Sequence, residues 1–306
     1  MNHPYLPSQY SLRKFQFGEM RSWSKLSQDV VKTLMLFCLM GCSHVFYQPI
    51  KGALFAPERV GLEPQEIWLK SADGVKLYAW AFRAKNPKGT ILHFHGNAEN
   101  MSSHFLNLAW IIKEGFDLLV FDYRGYGFSE GNPTQAGIHM DSLAALDWAF
   151  HDHEKRKTKH FIVYGQSLGG QISARALVDF PHQNKVNLLV QDSTFGSYQG
   201  IAAQKLGSRI LLWPFYPLAY LAVSDEFASE KTMAQIKVPV LGIHATKDEV
   251  VPYELGLKNY ELVTSKKWWW RLNLGQHTDV FHHREGRYRK MFLELIGQIG
   301  GEKSSR

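Results

Sequence analysis

The chain has 306 residues, 45% of them hydrophobic and 21% charged, a globular composition with enough length to bury a large core. Its formal charge of +7 is spread without a dense Lys/Arg run, and the one charge cluster, residues 151–157, mixes signs and reads as a solvated loop, so nucleic-acid binding is excluded as a class. The two cysteines, Cys38 and Cys42, both lie near the N-terminus, so the rest of the chain can build neither a disulfide framework nor a thiolate metal site.

In chain order, the first feature is a short apolar run at residues 33–41 behind Lys32, with Arg21 and Lys25 upstream. A basic flank, a short apolar stretch and a small residue form the pattern of a secretory signal, and a run this short cannot cross a hydrocarbon layer of about 30 Å. The run ends in Leu39-Met40-Gly41-Cys42, which resembles the bacterial lipobox. That resemblance implies cleavage before Cys42, lipidation of its thiol and a membrane-anchored lipoprotein of the cell envelope. Ser43, in place of an aspartate, directs it to the outer membrane where the cell has one. The basic region is long from Met1 and of ordinary length from Met20. The alternative is an uncleaved signal anchor from Val30 to about Tyr47, made costly by Lys32 and His44 inside it. The organisation expected is a signal peptide over 1–41, a tether over 42–62 and a folded domain over 63–300.

Glu66–Lys70 and Val75–Phe82 flank Ser71-Ala72-Asp73-Gly74 and read as an antiparallel hairpin. Thr90–Phe94, Asp117–Phe121, Phe161–Tyr164, Val186–Val190 and Val238–Ile243 are short continuous apolar runs. Helical stretches at Phe105–Lys113, Gln135–Phe150 and Gln171–Phe180 lie among them, and Trp268–Leu274 and Tyr288–Ile299 supply a last strand and a closing helix. Continuous apolar strands alternating with helices predict a mostly parallel sheet covered on both faces, the α/β class. A segment at about 196–234, rich in apolar and aromatic residues around Trp213 and Phe215, interrupts the alternation. A cap over a pocket is expected there, with helix packed on the core as the alternative.

Gly165-Gln166-Ser167-Leu168-Gly169 sits between a strand and a helix, the context in which a G-x-S-x-G sequence becomes a sharp turn presenting a serine. Serine is a weak nucleophile at neutral pH, so it needs a histidine base, and the histidine needs a carboxylate to fix its tautomer. Asp248 and His277, each after a strand, supply both, with Asp192 the rival acid and His282 and His283 the rival bases. Two convergent backbone N–H groups are also needed, and Leu168 and Asn97 are expected to provide them, with Ala98 next. His93 and His95 alternate as a metal pair would, but the reading preferred is that they shape the loop, as do Asp122 and Arg124.

His93–Asn100, Asp122–Ser129, Gly165–Gly169, Leu241–Pro252 and Gly275–Thr278 together resemble the α/β-hydrolase superfamily over residues 60–300. The resemblance is nearest to its membrane-associated serine hydrolases, which include Bem46-like proteins and protein depalmitoylases. It implies a serine esterase or thioesterase that needs no cofactor or metal, acting on a small or lipid-like acyl substrate that Trp213 and Phe215 help bind. A peptidase or amidase on the same residues, and a non-catalytic membrane-anchored binding protein, are the alternatives.

Overall fold

The apolar runs become the strands of one eight-stranded sheet. A computed structural model describes residues 46–207, 217–282 and 286–302, so Cys38, Cys42, Trp213, Phe215 and His283 lie outside the described residues. The strands are β1 (Gln65–Lys70), β2 (Lys76–Phe82), β3 (Gly89–Phe94), β4 (Phe116–Phe121), β5 (His160–Gln166), β6 (Leu188–Asp192), β7 (Val240–Ala245) and β8 (Lys267–Leu272). Their order is β8-β7-β6-β5-β3-β4-β2-β1. Only β2 runs against its neighbours β1 and β4; every other pair is parallel. The β1–β2 hairpin closes through the Ser71 amide on Val75 and the Gly74 amide on Ser71, with Gly74 at φ 92°.

Every residue of β3 to β7 is buried, as strands covered on both faces must be. Alternate side chains feed two separate cores. Leu92, Phe94, Phe161 and Val163 pack with Ala145 and Leu146 of α1 (Gln135–Arg156) and Ile172 and Leu177 of α2 (Leu168–Asp179). Ile91, Ile162 and Leu241 face the other way, against Phe105 and against Phe292 and Ile296 of α6 (Arg287–Glu302). The interrupting segment contributes α3 (Tyr198–Gly207) and α4 (Leu218–Ala222), and its Tyr198, Val223 and Met233, with Phe195 just before it, enter the first core. One more helix, α5 (Tyr253–Glu261), follows β7.

Two expectations need correction. Residues 151–157 are not a loop: they form the last turns of the 22-residue helix α1 and its cap, Lys157 at φ 53°. A lysine holding the left-handed position that glycine usually marks hides the stop signal. Arg156 and Asp152 are not merely solvated either, since they pair with Asp117 and Arg83 on the sheet. The stretch Phe105–Lys113 is not one helix but a 3₁₀ turn (Phe105–Asn107) followed by a single α turn (Trp110–Lys113). Its buried residues, Phe105, Leu108 and Ile111, recur every third position, the period of a 3₁₀ helix.

Arg124 ties the β4 loop to the rest of the domain. Its guanidinium donates to both carboxylate oxygens of the fully buried Asp141 on α1 and to Asp73 in the hairpin turn. Arg124→Met strands a buried carboxylate and is expected to cost about 3–5 kcal/mol of stability, read from a urea titration. Asp73→Asn, at the solvent end of the same fork, should cost clearly less.

Candidate active site

β5 ends at Gln166 and α2 starts at Leu168, leaving Ser167 alone in the bend at φ 54°, ψ −120°. This is a strained conformation for a residue with a side chain. Three hydrogen bonds hold it: the Ser167 amide donates to Asp192 O at 2.8 Å, and its carbonyl accepts from the Gly170 amide at 3.0 Å and Thr194 Oγ1 at 2.8 Å. A Cβ at Gly165 would run into Ser173 and the Gly170 backbone. One at Gly169 would strike the carbonyls of Phe94 and His95. Ser167 is 8% exposed, so its hydroxyl is sheltered rather than projecting into solvent.

Strands β7 and β8 each lead into a loop that returns to this bend. His277 Nε2 lies 2.9 Å from Ser167 Oγ, and His277 Nδ1 lies 2.8 Å from Asp248 Oδ2. An ionised carboxylate only accepts, so Nδ1 carries the proton and Nε2 presents its lone pair to the serine hydroxyl. Asp248 Oδ1 accepts the Val250 and Val251 amides at 2.8 and 2.9 Å. His244 stands 3.5 Å from Oδ2 while donating to Val251 O at 2.9 Å. Burial alone would raise the Asp248 carboxyl, but His244, His277 and the Val251 amide outweigh it and hold the group well below the usual carboxylate range.

Asp192 is not brought to His277 by a hydrogen bond. It accepts from Tyr164 Oη at 2.6 Å and Ser193 Oγ at 3.1 Å, and burial lifts its carboxyl to about 6 despite them. His282 pairs instead with Asn107 Oδ1 at 3.3 Å.

The loop after β3 is held carbonyl by carbonyl. His95 Nδ1 donates to Gly96 O at 2.8 Å, Tyr126 Oη to Asn97 O at 2.8 Å, and His104 Nε2 to Ala98 O at 2.9 Å. In a trans peptide the N–H points opposite to the C=O, so gripping Gly96 O fixes the direction of the Asn97 amide. The Leu168 amide, first in α2, has no acceptor within its own helix. Burial keeps His93 and His95 neutral, well below the usual histidine range. His93 Nε2 meets Gln166 Oε1 at 3.0 Å, and among the described residues no group of three potential ligands could hold a metal ion.

Sequence reasoning passed over several residues that shape the site. His244 is buried within β7 and reads as a strand residue, although a histidine in an otherwise apolar strand is a usable signal. Ser193 (φ 53°) and Thr278 (φ 57°) adopt left-handed backbone without glycine, and the Thr278 amide donates to Ser193 Oγ at 3.2 Å. That bond joins the end of β6 to the loop carrying His277. Gln166 lies between His93 and His104, 3.3 Å from His104 Nδ1, beneath the Gly96–Ala98 loop. A cavity of about 10 Å³ among Gln191, Thr194, His244 and Asn259 is water-sized, too small for a substrate.

Asp122, fully buried, caps the Met101 amide at 2.7 Å, and burial lifts its carboxyl to about 7 against that bond and the Lys51 charge. Between the unfolded carboxyl value near 4 and these raised values, the native state binds the extra protons. The contribution of Asp122 and Asp192 is therefore full below pH about 4 and lost as pH rises through about 7 and 6. Asp122→Asn cannot ionise yet keeps an acceptor for Met101. Its urea midpoint relative to the parent is expected to rise between pH 5 and pH 8; a parallel shift at both values would contradict the assignment.

The profile of the family described as serine aminopeptidase, S33, matches residues 85–219. An uncharacterised protein, YfhR of Salmonella typhi, is 31% identical over 88% of this chain and 94% of its own. The bem46 protein of Schizosaccharomyces pombe is 31% identical over 64% of each chain. An esterase from Pyrococcus furiosus superposes with a TM-score of 0.64 over 84% of this chain and 99% of its own, at 20% identity, a likeness of fold. The chain belongs to the α/β-hydrolase superfamily, among relatives that include the YfhR and Bem46 proteins.

Proposed function

We propose that the protein is a membrane-tethered serine hydrolase of the esterase or thioesterase type. The observation that carries this reading is the continuous path Asp248–His277–Ser167, with bonds of 2.8 and 2.9 Å. Ser167 Oγ attacks the acyl carbonyl while its proton passes to His277 Nε2. The resulting imidazolium is stabilised by Asp248, which its donors keep ionised. Leu168 and Asn97 amides take the oxyanion, and His277 then protonates the leaving alcohol or thiol. His277 next removes a proton from water, which attacks the acyl-enzyme and releases the acid. Every residue the cycle uses belongs to this chain.

The amidase reading uses the same steps with an amine leaving group, and the serine aminopeptidase family match favours it as the second reading. The tether rests on Cys42: radioactive palmitate should label the bacterially expressed protein, and Cys42→Ala should remove the label. The acyl specificity is proposed from exposed apolar residues on the loops that carry Asp248 and His277 and on the interrupting segment. Val250 and Leu274, on the loops that carry Asp248 and His277, are exposed, as are Tyr220 and Leu221 on α4. Trp213 and Phe215, from the same segment as α4, complete the proposed acyl site.

Ser167→Ala and His277→Ala are expected to lower p-nitrophenyl ester turnover by at least about a thousandfold. Asp248→Asn should come close to that, and Asp192→Asn should cost little; the reverse order would reassign the acid. Each methylene added to the acyl chain should raise kcat/KM by up to about fourfold, at roughly 0.8 kcal/mol per buried CH₂. Paired alanines at Trp213 and Phe215 should flatten that series, whereas equal rates on acetyl and octanoyl esters in the parent would remove the acyl-site assignment.

A further inference from the structure

The segment that enters the domain from the N-terminus does not hang free. Phe46 and Tyr47 are buried, with Phe46 edge-on to Tyr198 at 5.3 Å and Tyr47 Oη 3.3 Å from Tyr198 Oη on α3. Gln48–Pro49 then pairs in parallel with Ala98–Glu99, directly beyond the Gly96–Asn97 peptide. The Gln48 amide donates to Asn97 Oδ1 at 3.0 Å, and the Ile50 amide to Glu99 O at 3.2 Å. Asn100 Nδ2 returns two bonds, to Ile50 O at 2.9 Å and Gly52 O at 2.7 Å. The Gly127 amide donates to Ile50 O at 3.0 Å and the Gly52 amide to Gly127 O at 3.1 Å, fastening the segment to the loop after β4 as well.

One of these bonds, from the Gln48 amide, ends on Asn97, and the others fix the strap on either side of that bond. The Asn97 carbonyl is held by Tyr126 Oη, and its side-chain oxygen is shared between Tyr126 Oη at 3.3 Å and the Gln48 amide. A simple loop anchor would need only one of these. Held from two independent elements, the residue cannot rotate about its own φ and ψ without breaking both, so its amide keeps the direction set by the Gly96 carbonyl. An oxyanion donor owes its effect to such preorganisation, because a donor that must reorient during the reaction loses most of its advantage.

We propose that the strap Phe46–Gly52 positions the Asn97 amide from outside the catalytic machinery, with the backbone N–H at position 48 as its key donor. This inference rests on the serine hydrolase reading. It makes the backbone leading to the proposed Cys42 anchor continuous with the backbone that orients the oxyanion loop. The strap acts through Asn97 and does not touch the reacting atoms, so its effect falls on kcat and not on KM.

The test uses the full chain and four substitutions. Gln48→Ala keeps the N–H and should leave kcat within twofold of the parent. Gln48→Pro removes the N–H and should lower kcat for p-nitrophenyl butyrate about tenfold with KM unchanged. Tyr126→Phe, which releases Asn97 from the other side without altering the backbone, should lower kcat by a similar factor. The double variant should fall short of the product of the two, because both act on one residue. Thermal unfolding of each variant shows whether the domain stays folded; if Gln48→Pro does not, Asn97→Ala, which removes the acceptor of the Gln48 amide and keeps the Asn97 N–H, carries the test with the same expected loss of kcat. Folded Gln48→Pro, Asn97→Ala or Tyr126→Phe protein that keeps kcat within twofold, or that raises KM alone, would overturn the inference. Full turnover by Ser167→Ala would instead overturn the parent reading, so the two failures are distinct.

Discussion

Backbone meets backbone where α2 begins, and the rest of the site depends on that contact. Gly169 sits so close to the carbonyls of Phe94 and His95 that even a methyl group has no room. The approach places the serine bend at the end of β5 beside the loop at the end of β3, its immediate neighbour in the sheet. Parallel pairing puts the other two contributors at the same end, since β7 and β8 both finish there. Sheet register and the missing Cβ at Gly169 thus bring Ser167 to the end of the sheet at which Asp248 and His277 meet it.

Three buried carboxyls around this centre show how local donors decide charge. Asp122 and Asp192 are pushed up by burial, to about 7 and about 6, because few donors offset their desolvation. Asp248 feels the same penalty yet is driven the other way, since two backbone amides and two histidines surround it. Asp248 stays ionised throughout the range in which the other two titrate, and it is the one bonded to His277. The geometry and the electrostatics therefore select the same acid.

Much of this was legible in the sequence because it depends on side-chain volume or period. Continuous apolar runs announced buried parallel strands, and the glycines at 165 and 169 announced a bend with no room for a side chain. The order of Ser167, Asp248 and His277 along the strands pointed to the residues that the fold assembles. What escaped has a different physical origin. Lys157, Ser193 and Thr278 take left-handed backbone that their residue type does not advertise. His244 was hidden in a strand whose other residues are apolar or glycine. On its own side the strap bonds through the amides of Gln48 and Ile50 and the carbonyls of Ile50 and Gly52; every residue carries such a carbonyl and every residue but proline such an amide. The residue types of the strap therefore carry no mark of these bonds.

The central claim is that Ser167 is the covalent nucleophile. Its most direct test is to treat the protein with a fluorophosphonate and map the adduct by peptide mass spectrometry while following ester turnover. The account predicts one adduct per chain, on the peptide containing Ser167, with turnover lost in proportion to labelling. Complete modification of Ser167 with turnover intact, or loss of turnover with the adduct on another residue, would contradict it.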